Sequence, residues 1–124
     1  MNSNWTVLLI IAAAVAFVFM LKKSGQIPAA EALHFLKQGA LVIDVRSAGE
    51  FNSGHLAQAI NMPVDEIETV LPARVKDKNQ VLLLHCASGM RSGVARQKLK
   101  KMGYTNAFNL GSYGRAESIV RQAD

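Results

Sequence analysis

The stretch of sequence that decides the fold is VLLLHCASGMRSGVARQKLKKMG, residues 81–103. Its first part, residues 81–85, is dominated by a continuous apolar run, which is typical of a strand buried on both faces of a parallel sheet. Its last part, residues 91–102, has apolar residues at helical spacing and is closed by Gly103, which predicts a helix. A strand followed by a helix is the unit from which parallel sheets are built.

The sequence around this stretch repeats the same alternation. A helix is predicted to begin at Pro28, and the apolar run LVIDV at residues 41–45 predicts a strand. Ser47 and Glu50 form an S-x-x-E capping box, which predicts a helix beginning at Ser47. The other predicted elements are a strand in AINMP (59–63), a short helix in VDEIETVL (64–71) ending near Pro72, a strand in AFNL (107–110) and a helix in GRAESIVRQ (114–122). This order predicts an α/β domain with a mostly parallel central sheet and helices on both faces.

The N-terminal part of the chain differs in character from the rest. Residues 5–21, WTVLLIIAAAVAFVFML, are apolar apart from one threonine, and no charged side chain occurs before Lys22. A membrane-spanning helix needs ~20 predominantly apolar residues, with a lower limit of ~17, so the run is just long enough to cross. We therefore divide the chain into a transmembrane anchor (1–23), a short polar linker (24–27) and the α/β domain (28–124).

Two other interpretations of the apolar run agree less well with the sequence. A cleaved signal peptide has positive residues before its apolar core and small residues at its cleavage site, whereas here the lysines come after the run and are followed by SGQIP. A buried core helix of a soluble domain would have a polar face, and the run has none. An uncleaved anchor is favoured.

The charges beside the anchor predict its orientation. Positive residues are enriched on the cytoplasmic side of a membrane, and Lys22 and Lys23 directly follow the apolar run. We expect a single-pass protein of the inner (cytoplasmic) membrane, with its N-terminus outside and its domain in the cytoplasm. The lone cysteine, Cys86, cannot form an internal disulfide, which is compatible with a reducing compartment.

The remaining composition limits the partners and cofactors. The formal net charge of +5 is modest, and no aromatic residues interleave with the basic cluster at residues 91–101, so nucleic acid is not a predicted partner. The three histidines are far apart and there is one cysteine, so no metal-ligand spacing is present. We expect no metal and no cofactor, and contact with the membrane through residues 5–21.

Cys86 stands at the carboxyl end of a predicted strand, which is where open α/β sheets bind their ligands. Small residues at positions 87–89 allow successive backbone N–H groups to form an anion-binding nest. The helix that begins near Arg91 adds its positive N-terminal end. Such surroundings lower the pKa of a cysteine from ~8.5 to the range ~3.5–7.5. The pattern favours a nucleophilic thiolate over the alternative, an inert cysteine that only fills space.

Three stretches resemble the single-domain rhodaneses, a family of sulfurtransferases. The first, LVIDVRSAGEFNSGHLAQAINMP at residues 41–63, resembles the family's D-V-R, E-F, G-H-I and A-I-N-x-P signatures. The second, LLHCASGMRS at residues 83–92, resembles its active-site loop, with Cys86 in the catalytic position. The third, LKKMGYTNAFNL at residues 99–110, resembles the passage from the following helix into the last strand. The resemblance implies a rhodanese-like fold for the domain.

The resemblance also implies a reaction. Cys86 would attack the sulfane sulfur of a donor, thiosulfate or a persulfide, become a persulfide itself and pass the sulfur to cyanide or to a small or protein thiol. The charged sulfur would be held by the backbone amides of the substrate-binding loop, Ala87, Ser88, Gly89, Met90 and Arg91. Four residues separate Cys86 from Arg91, fewer than in the related phosphatases of the same fold, which favours sulfur over phosphate chemistry.

A second hypothesis belongs to another class of protein. The anchor and Ala87, which stands where some thiosulfate-using relatives carry a basic residue, are compatible with a membrane-tethered module that binds or senses sulfur with little turnover.

Three polar residues near the loop are expected to have structural roles. Asp44 is predicted to brace the loop after its strand as a hydrogen-bond acceptor. His55 is predicted to make a local hydrogen bond. His85 is predicted to point to the face of the sheet opposite Cys86, because side chains alternate along a strand.

Overall fold

The structure is a computed structural model that describes residues 3–124, so the first two residues of the predicted anchor lie outside it. Six helices occur in the described residues: α1 (Ser3–Lys23), α2 (Ala29–Lys37), α3 (Ala48–Ser53), α4 (Ile67–Arg74), α5 (Met90–Lys101) and α6 (Tyr113–Ala123). Between them lie the strands β1 (Leu41–Asp44), β2 (Ile60–Asn61), β3 (Leu82–His85) and β4 (Ala107–Gly111). The predicted alternation of strands and helices is confirmed.

The four strands form one parallel sheet in the order β2-β1-β3-β4. The strand β3 is central and buried along its whole length, as its apolar run predicts. Leu84 and Cys86 belong to the core on one face of the sheet, and Leu83 belongs to the core on the other face. This alternation fixes the face on which the sulfur lies.

Helices cover both faces of the sheet. On the Cys86 face the core includes Ile67 and Leu71 of α4 together with Ala95 and Leu99 of α5. The opposite core is closed by α2 and α6, through the side chains Ala32, Ala116, Ile119 and Val120. The predicted three-layer α/β architecture is confirmed.

Local signals determine where the short helices begin and end. The predicted capping box is present at α3, where Ser47 Oγ accepts a hydrogen bond from the Glu50 N–H and Glu50 accepts one from the Ser47 N–H. The helix α4 continues past Pro72 to Arg74, beyond the predicted end. The fixed φ of proline is itself helical, and the burial of Ile67 and Leu71 holds the turn despite one lost hydrogen bond.

The side chains of α1 from Ser3 to Met20 are all exposed, so this part of the helix has no packed face. Its segment Ser3–Met20, 18 residues long, is apolar and long enough to cross a membrane, and it is the one such segment in the described part of the chain. A signal sequence near an N-terminus meets the same criterion of length and composition.

The segment 24–27, predicted as a polar linker, is built into the edge of the sheet. Gln26 forms a parallel bridge with Asn109 of β4, and the Ile27 N–H donates to the Asn109 carbonyl at 2.9 Å. Ile27 itself is buried. Gly25 has a positive φ of 72°, and a Cβ at this position would collide with the Arg96 side chain. The domain is therefore held close to the end of α1.

Candidate active site

The sulfur of Cys86 lies at the carboxyl end of β3, where the chain turns into α5. The residue is fully buried, with 0% of its surface exposed. The Gly89 N–H donates a hydrogen bond to Sγ at 3.0 Å, and Ser92 Oγ lies 3.5 Å from Sγ. The loop therefore folds back over the sulfur and surrounds it with donors.

Opposing effects act on the pKa of Cys86. Burial raises the pKa, because a thiolate is poorly solvated inside the protein. Hydrogen bonds from the Ser92 hydroxyl, and then from the backbone N–H groups of Ser92, Gly89 and Ser88, lower it. The hydrogen bonds outweigh burial, and the pKa of Cys86 lies below its ordinary value. A lowered pKa favours the nucleophilic thiolate.

The conformation of the loop depends on Gly89. This residue has a φ of 96° and directly precedes the first residue of α5. A Cβ there would come within 3.4 Å of the Gly111 backbone. A glycine is required because the left-handed conformation is costly for other residues, and this conformation turns the Gly89 N–H toward Sγ.

A buried asparagine fixes the donors around the sulfur. Asn109 Oδ1 accepts a hydrogen bond from the Gly111 N–H at 2.9 Å and lies 2.7 Å from Ser92 Oγ, while Asn109 Nδ2 donates to the Gly89 carbonyl at 3.0 Å. The Ser92 hydroxyl has one hydrogen, which it donates either to Asn109 Oδ1 or to Sγ, and only the second arrangement stabilises a thiolate. Sequence reasoning missed Ser92 and Asn109. The available signal was a polar side chain inside the predicted strand AFNL, since buried polar groups are normally hydrogen-bonded.

Arg91 is paired with a carboxylate rather than left free at the loop. Its two terminal nitrogens bind the two carboxylate oxygens of Glu50 at 2.7 and 2.9 Å. This contact with Arg91 lowers the pKa of Glu50 to about 2, and the same contact raises the pKa of Arg91. The Cys86 thiolate also raises the pKa of Arg91, which places the positive charge within electrostatic reach of the sulfur.

The other predicted loop residues differ in position. Ser88 and Gly89 supply backbone N–H groups to Cys86, as does Ser92, which lies outside the predicted set. Ala87 and Met90 are exposed, and the Ala87 carbonyl accepts the Tyr113 N–H at 3.2 Å. Binding of substrate by the five loop residues stays a prediction.

A second polar cluster lies on the opposite face of the sheet. His85 is buried there, and its Nε2 atom is 3.8 Å from Asp44 Oδ2. Burial lowers the pKa of His85, which favours the neutral imidazole. Asp44 accepts from the Arg46 backbone N–H at 3.0 Å and pairs with the Arg46 guanidinium at 2.7 Å. The structure therefore gives Asp44 the predicted bracing role.

His55 makes the expected local contact. His55 Nδ1 lies 2.8 Å from the Phe51 carbonyl, and the two rings are stacked with centroids 3.7 Å apart. Among residues 3–124, no group of three or more His, Cys, Asp and Glu side chains is arranged to hold a metal ion.

Substitution of Ser92 by alanine tests the source of the lowered pKa. Ser92→Ala removes the hydroxyl that stabilises the thiolate, so the pKa of Cys86 should rise and its alkylation rate should titrate at higher pH. The rate of iodoacetamide modification against pH, in gently detergent-solubilised full-length protein, measures this shift. A profile that coincides with wild type would show that the hydroxyl does not stabilise the thiolate. Ser118→Ala, on the exposed surface of α6, serves as the control.

The fold and the site together define an α/β domain with an activated cysteine in a strand–loop–helix turn. A family model for the rhodanese-like domain matches residues 28–114. The chain therefore belongs to the rhodanese-like domain family, as its motifs indicate.

Individual relatives agree with this assignment. The chain is 38% identical over 69 residues to the thiosulfate sulfurtransferase PspE of Escherichia coli, a match that covers 56% of this chain and 66% of that protein. Its structure is similar to a rhodanese with anions from E. coli (34% identity, TM-score 0.59, covering 62% of this chain and 91% of that one). It is also similar to the human single-domain sulfurtransferase TSTD1 (28% identity, TM-score 0.64, 76% and 96% covered). The matches span less than two thirds of the length of the first curated relatives.

Proposed function

We propose that this protein is a sulfurtransferase in which Cys86 carries the transferred sulfur as a persulfide. The observation that carries the proposal is the buried sulfur held by the Gly89 N–H and the Ser92 hydroxyl, with a pKa below its ordinary value. This arrangement is suited to a negatively charged sulfur at the loop. Relatives named as sulfurtransferases support the same chemistry.

The reaction consists of two displacements at sulfur. In the first, the Cys86 thiolate attacks the sulfane sulfur of thiosulfate or a persulfide, the donor's bond to that sulfur breaks, and sulfite or a thiolate leaves with the electron pair. In the second, a thiolate or cyanide attacks the terminal sulfur, and the electron pair of the broken S–S bond returns to Cys86. No oxidant is needed, because each step forms one bond to the sulfane sulfur and breaks another.

The loop groups have separate roles in these steps. The Gly89 N–H and the Ser92 hydroxyl stabilise negative charge on sulfur in the resting enzyme and after transfer. Asn109 positions the Gly89 turn through the Gly89 carbonyl, and its Oδ1 atom lies beside the Ser92 hydroxyl, which turns from Asn109 to the sulfur when Cys86 is ionised. Arg91 supplies a positive charge near the loop, and Glu50 holds that charge in place.

Three other features of the site favour a competing proposal, a sulfur-binding module with little turnover. Cys86 is fully buried, and the Arg91 charge is neutralised by Glu50. Ala87 brings no positive charge that would attract an anionic donor.

Steady-state turnover separates the two proposals. We expect purified full-length protein to form thiocyanate from cyanide with at least one of two donors, thiosulfate or a small persulfide, and Cys86→Ser to form none. The binding module would be shown by a different result: Cys86 takes up sulfur, but no turnover is measured with either donor, whether the acceptor is cyanide or a thiol. Hydrolysis of an aryl phosphate that depends on Cys86 would contradict both.

We also propose that α1 is a single-pass anchor in the inner membrane, with the N-terminus outside and the domain in the cytoplasm. Support comes from the apolar segment Ser3–Met20 and from Lys22 and Lys23, which follow it after one further apolar residue, Leu21.

Reporter cysteines test this orientation, since Cys86 is buried and reacts poorly as a surface reporter. In a Cys86→Ser background, a membrane-impermeant maleimide applied to intact cells should label Ser3→Cys and should not label Lys100→Cys, whose site is exposed on α5. Cell lysis should make Lys100→Cys reactive. Labelling of Lys100→Cys in intact cells would show the opposite orientation. Absence of both protein variants from the membrane fraction would show that α1 is not an anchor.

A further inference from the structure

Two exposed hydrophobic side chains stand beside the catalytic loop. Beyond α1, Met90 and Val94 are the exposed large hydrophobic side chains among the described residues, with 75% and 50% of their surfaces accessible. They lie four residues apart on α5, so both face the same side of the helix. Gln97 and Lys101 extend this side of α5 and are also exposed. We call these four residues the Met90 face.

The Met90 face lies opposite the C-terminal end of α1. A cavity of about 310 Å³ lies between the two helices. Its apolar walls are Phe17 and Met20 from α1 and Met90 and Val94 from α5. Glycines and polar residues complete the lining: Ser24, Gln26, Ser88, Gly89, Gly93, Gln97 and Asn109. Phe17 and Met20 remain 60% and 63% exposed, so the cavity opens outward and its apolar walls are not covered by protein.

The length of α1 determines how deep this cavity lies in a membrane. The 18 residues of Ser3–Met20 extend ~27 Å at ~1.5 Å per residue. This length is slightly below the ~30 Å thickness of a hydrocarbon core. A spanning α1 therefore cannot leave Phe17 and Met20 in water. Met90 and Val94 line one cavity with Phe17 and Met20, so a spanning α1 brings them close to the membrane.

The turn after α1 keeps the domain in this position. Gln26 is paired with β4, and the Gly25 carbonyl accepts the Asn109 N–H at 2.9 Å. The Arg96 side chain packs over Gly25 and donates to the Ala107 carbonyl at 3.1 Å. These contacts bind residues 25–27 to β4, so one residue, Ser24, separates the end of α1 from a segment packed on the domain.

We propose that the catalytic loop docks on the surface of the bilayer that α1 spans, with Met90 and Val94 inserted at the boundary of headgroups and acyl chains. This inference rests on the membrane span proposed above. Lipid covers the apolar walls of the cavity, and Lys101, with Lys22 at the end of α1, meets anionic headgroups. The loop that holds Cys86 then faces the membrane surface, so membrane-associated thiols and persulfides reach it directly.

Quenching of tryptophan fluorescence by brominated lipids tests the docking. Trp5 is the single tryptophan, so the Trp5→Phe background allows a reporter to be placed at Val94→Trp. Thr105→Trp is the matched control, since Thr105 is exposed at the opposite, amino-terminal edge of β4. Each full-length variant is reconstituted in vesicles of phosphatidylcholine and phosphatidylglycerol, with and without bromine on the upper acyl chain.

We expect Val94→Trp to lose much of its emission in brominated vesicles and Thr105→Trp to lose little. Wild-type Trp5 reports the span independently, because a spanning α1 brings Trp5 into contact with lipid whether or not the catalytic loop docks on the bilayer. Quenching of Trp5 without quenching of Val94→Trp would overturn the docking and leave the anchor intact. An absence of Trp5 quenching would overturn the anchor and, with it, the docking. A Val94→Trp reporter shielded from both lipid bromine and aqueous iodide would show that protein, such as a second copy, covers the face, which also overturns the proposal.

Discussion

Cys86→Ser should abolish sulfur loading completely. Wild-type protein treated with a sulfane-sulfur donor should gain one sulfur atom in intact-mass measurement, and the variant should gain none. The physical reason is that Cys86 is the single thiol of the chain and its thiolate is stabilised by the loop donors. Equal masses of the two proteins after donor treatment would contradict the assignment of Cys86 as the nucleophile.

A displaced cysteine provides the matched control for this result. In the double variant Cys86→Ser with Lys100→Cys, the chain again has one thiol, now exposed on α5 and outside the loop. We expect this thiol to retain little persulfide at neutral pH, because no backbone nest surrounds it. Loading equal to that of wild type would show that any cysteine suffices and that the loop contributes nothing.

Asp44→Asn should produce the largest loss of stability among the polar substitutions near the site. Asp44 is fully buried and binds the Arg46 guanidinium at 2.7 Å, so the neutral amide leaves a buried positive charge without its counter-charge. Breaking a buried ion pair from one side typically reduces the free energy of unfolding by ~3–5 kcal/mol. We expect a loss near the lower value, about 3 kcal/mol, because Arg46 keeps its hydrogen bond to the Gly54 carbonyl.

Urea unfolding of detergent-solubilised full-length protein, followed by circular dichroism, measures this loss. Glu117→Gln is the control, since it breaks the solvent-exposed pair with Arg121 and should change the free energy of unfolding by less than ~1 kcal/mol. Asp44→Asn combined with Arg46→Met should be more stable than Asp44→Asn alone, because no unpaired charge remains. Equal stability of wild type and Asp44→Asn would show that the pair does not hold the loop.

Much of the fold could be predicted because its signals are local. The apolar run of β3 indicated a strand buried on both faces, and the alternation of side chains correctly placed His85 and Cys86 on opposite faces. The capping box of α3 also lies within a few residues of chain. By contrast, the end of α4 was misplaced at Pro72, because the packing of Leu71 against the distant core outweighs the local signal of a proline.

The site was predictable only in part, for a related reason. The turn at Gly89 and the position of Cys86 follow from adjacent residues. The bracing of Ser92 by Asn109 joins residues 17 apart in sequence, and the pairing of Arg91 with Glu50 joins residues 41 apart. No periodic pattern records such contacts, since each depends on how β1, β3 and β4 are placed side by side.

The sequence by itself determined the α/β class, the apolar segment at the N-terminus and the strand–loop–helix turn that presents Cys86, because each follows from residue types repeated over a few positions. Only the tertiary structure decided which donors surround the sulfur, that Arg91 is held by Glu50, and that residues 24–27 join β4 instead of separating the domain from α1. Those contacts form when distant segments pack together, and packing is a property of the whole sheet and its helices rather than of any one stretch of chain.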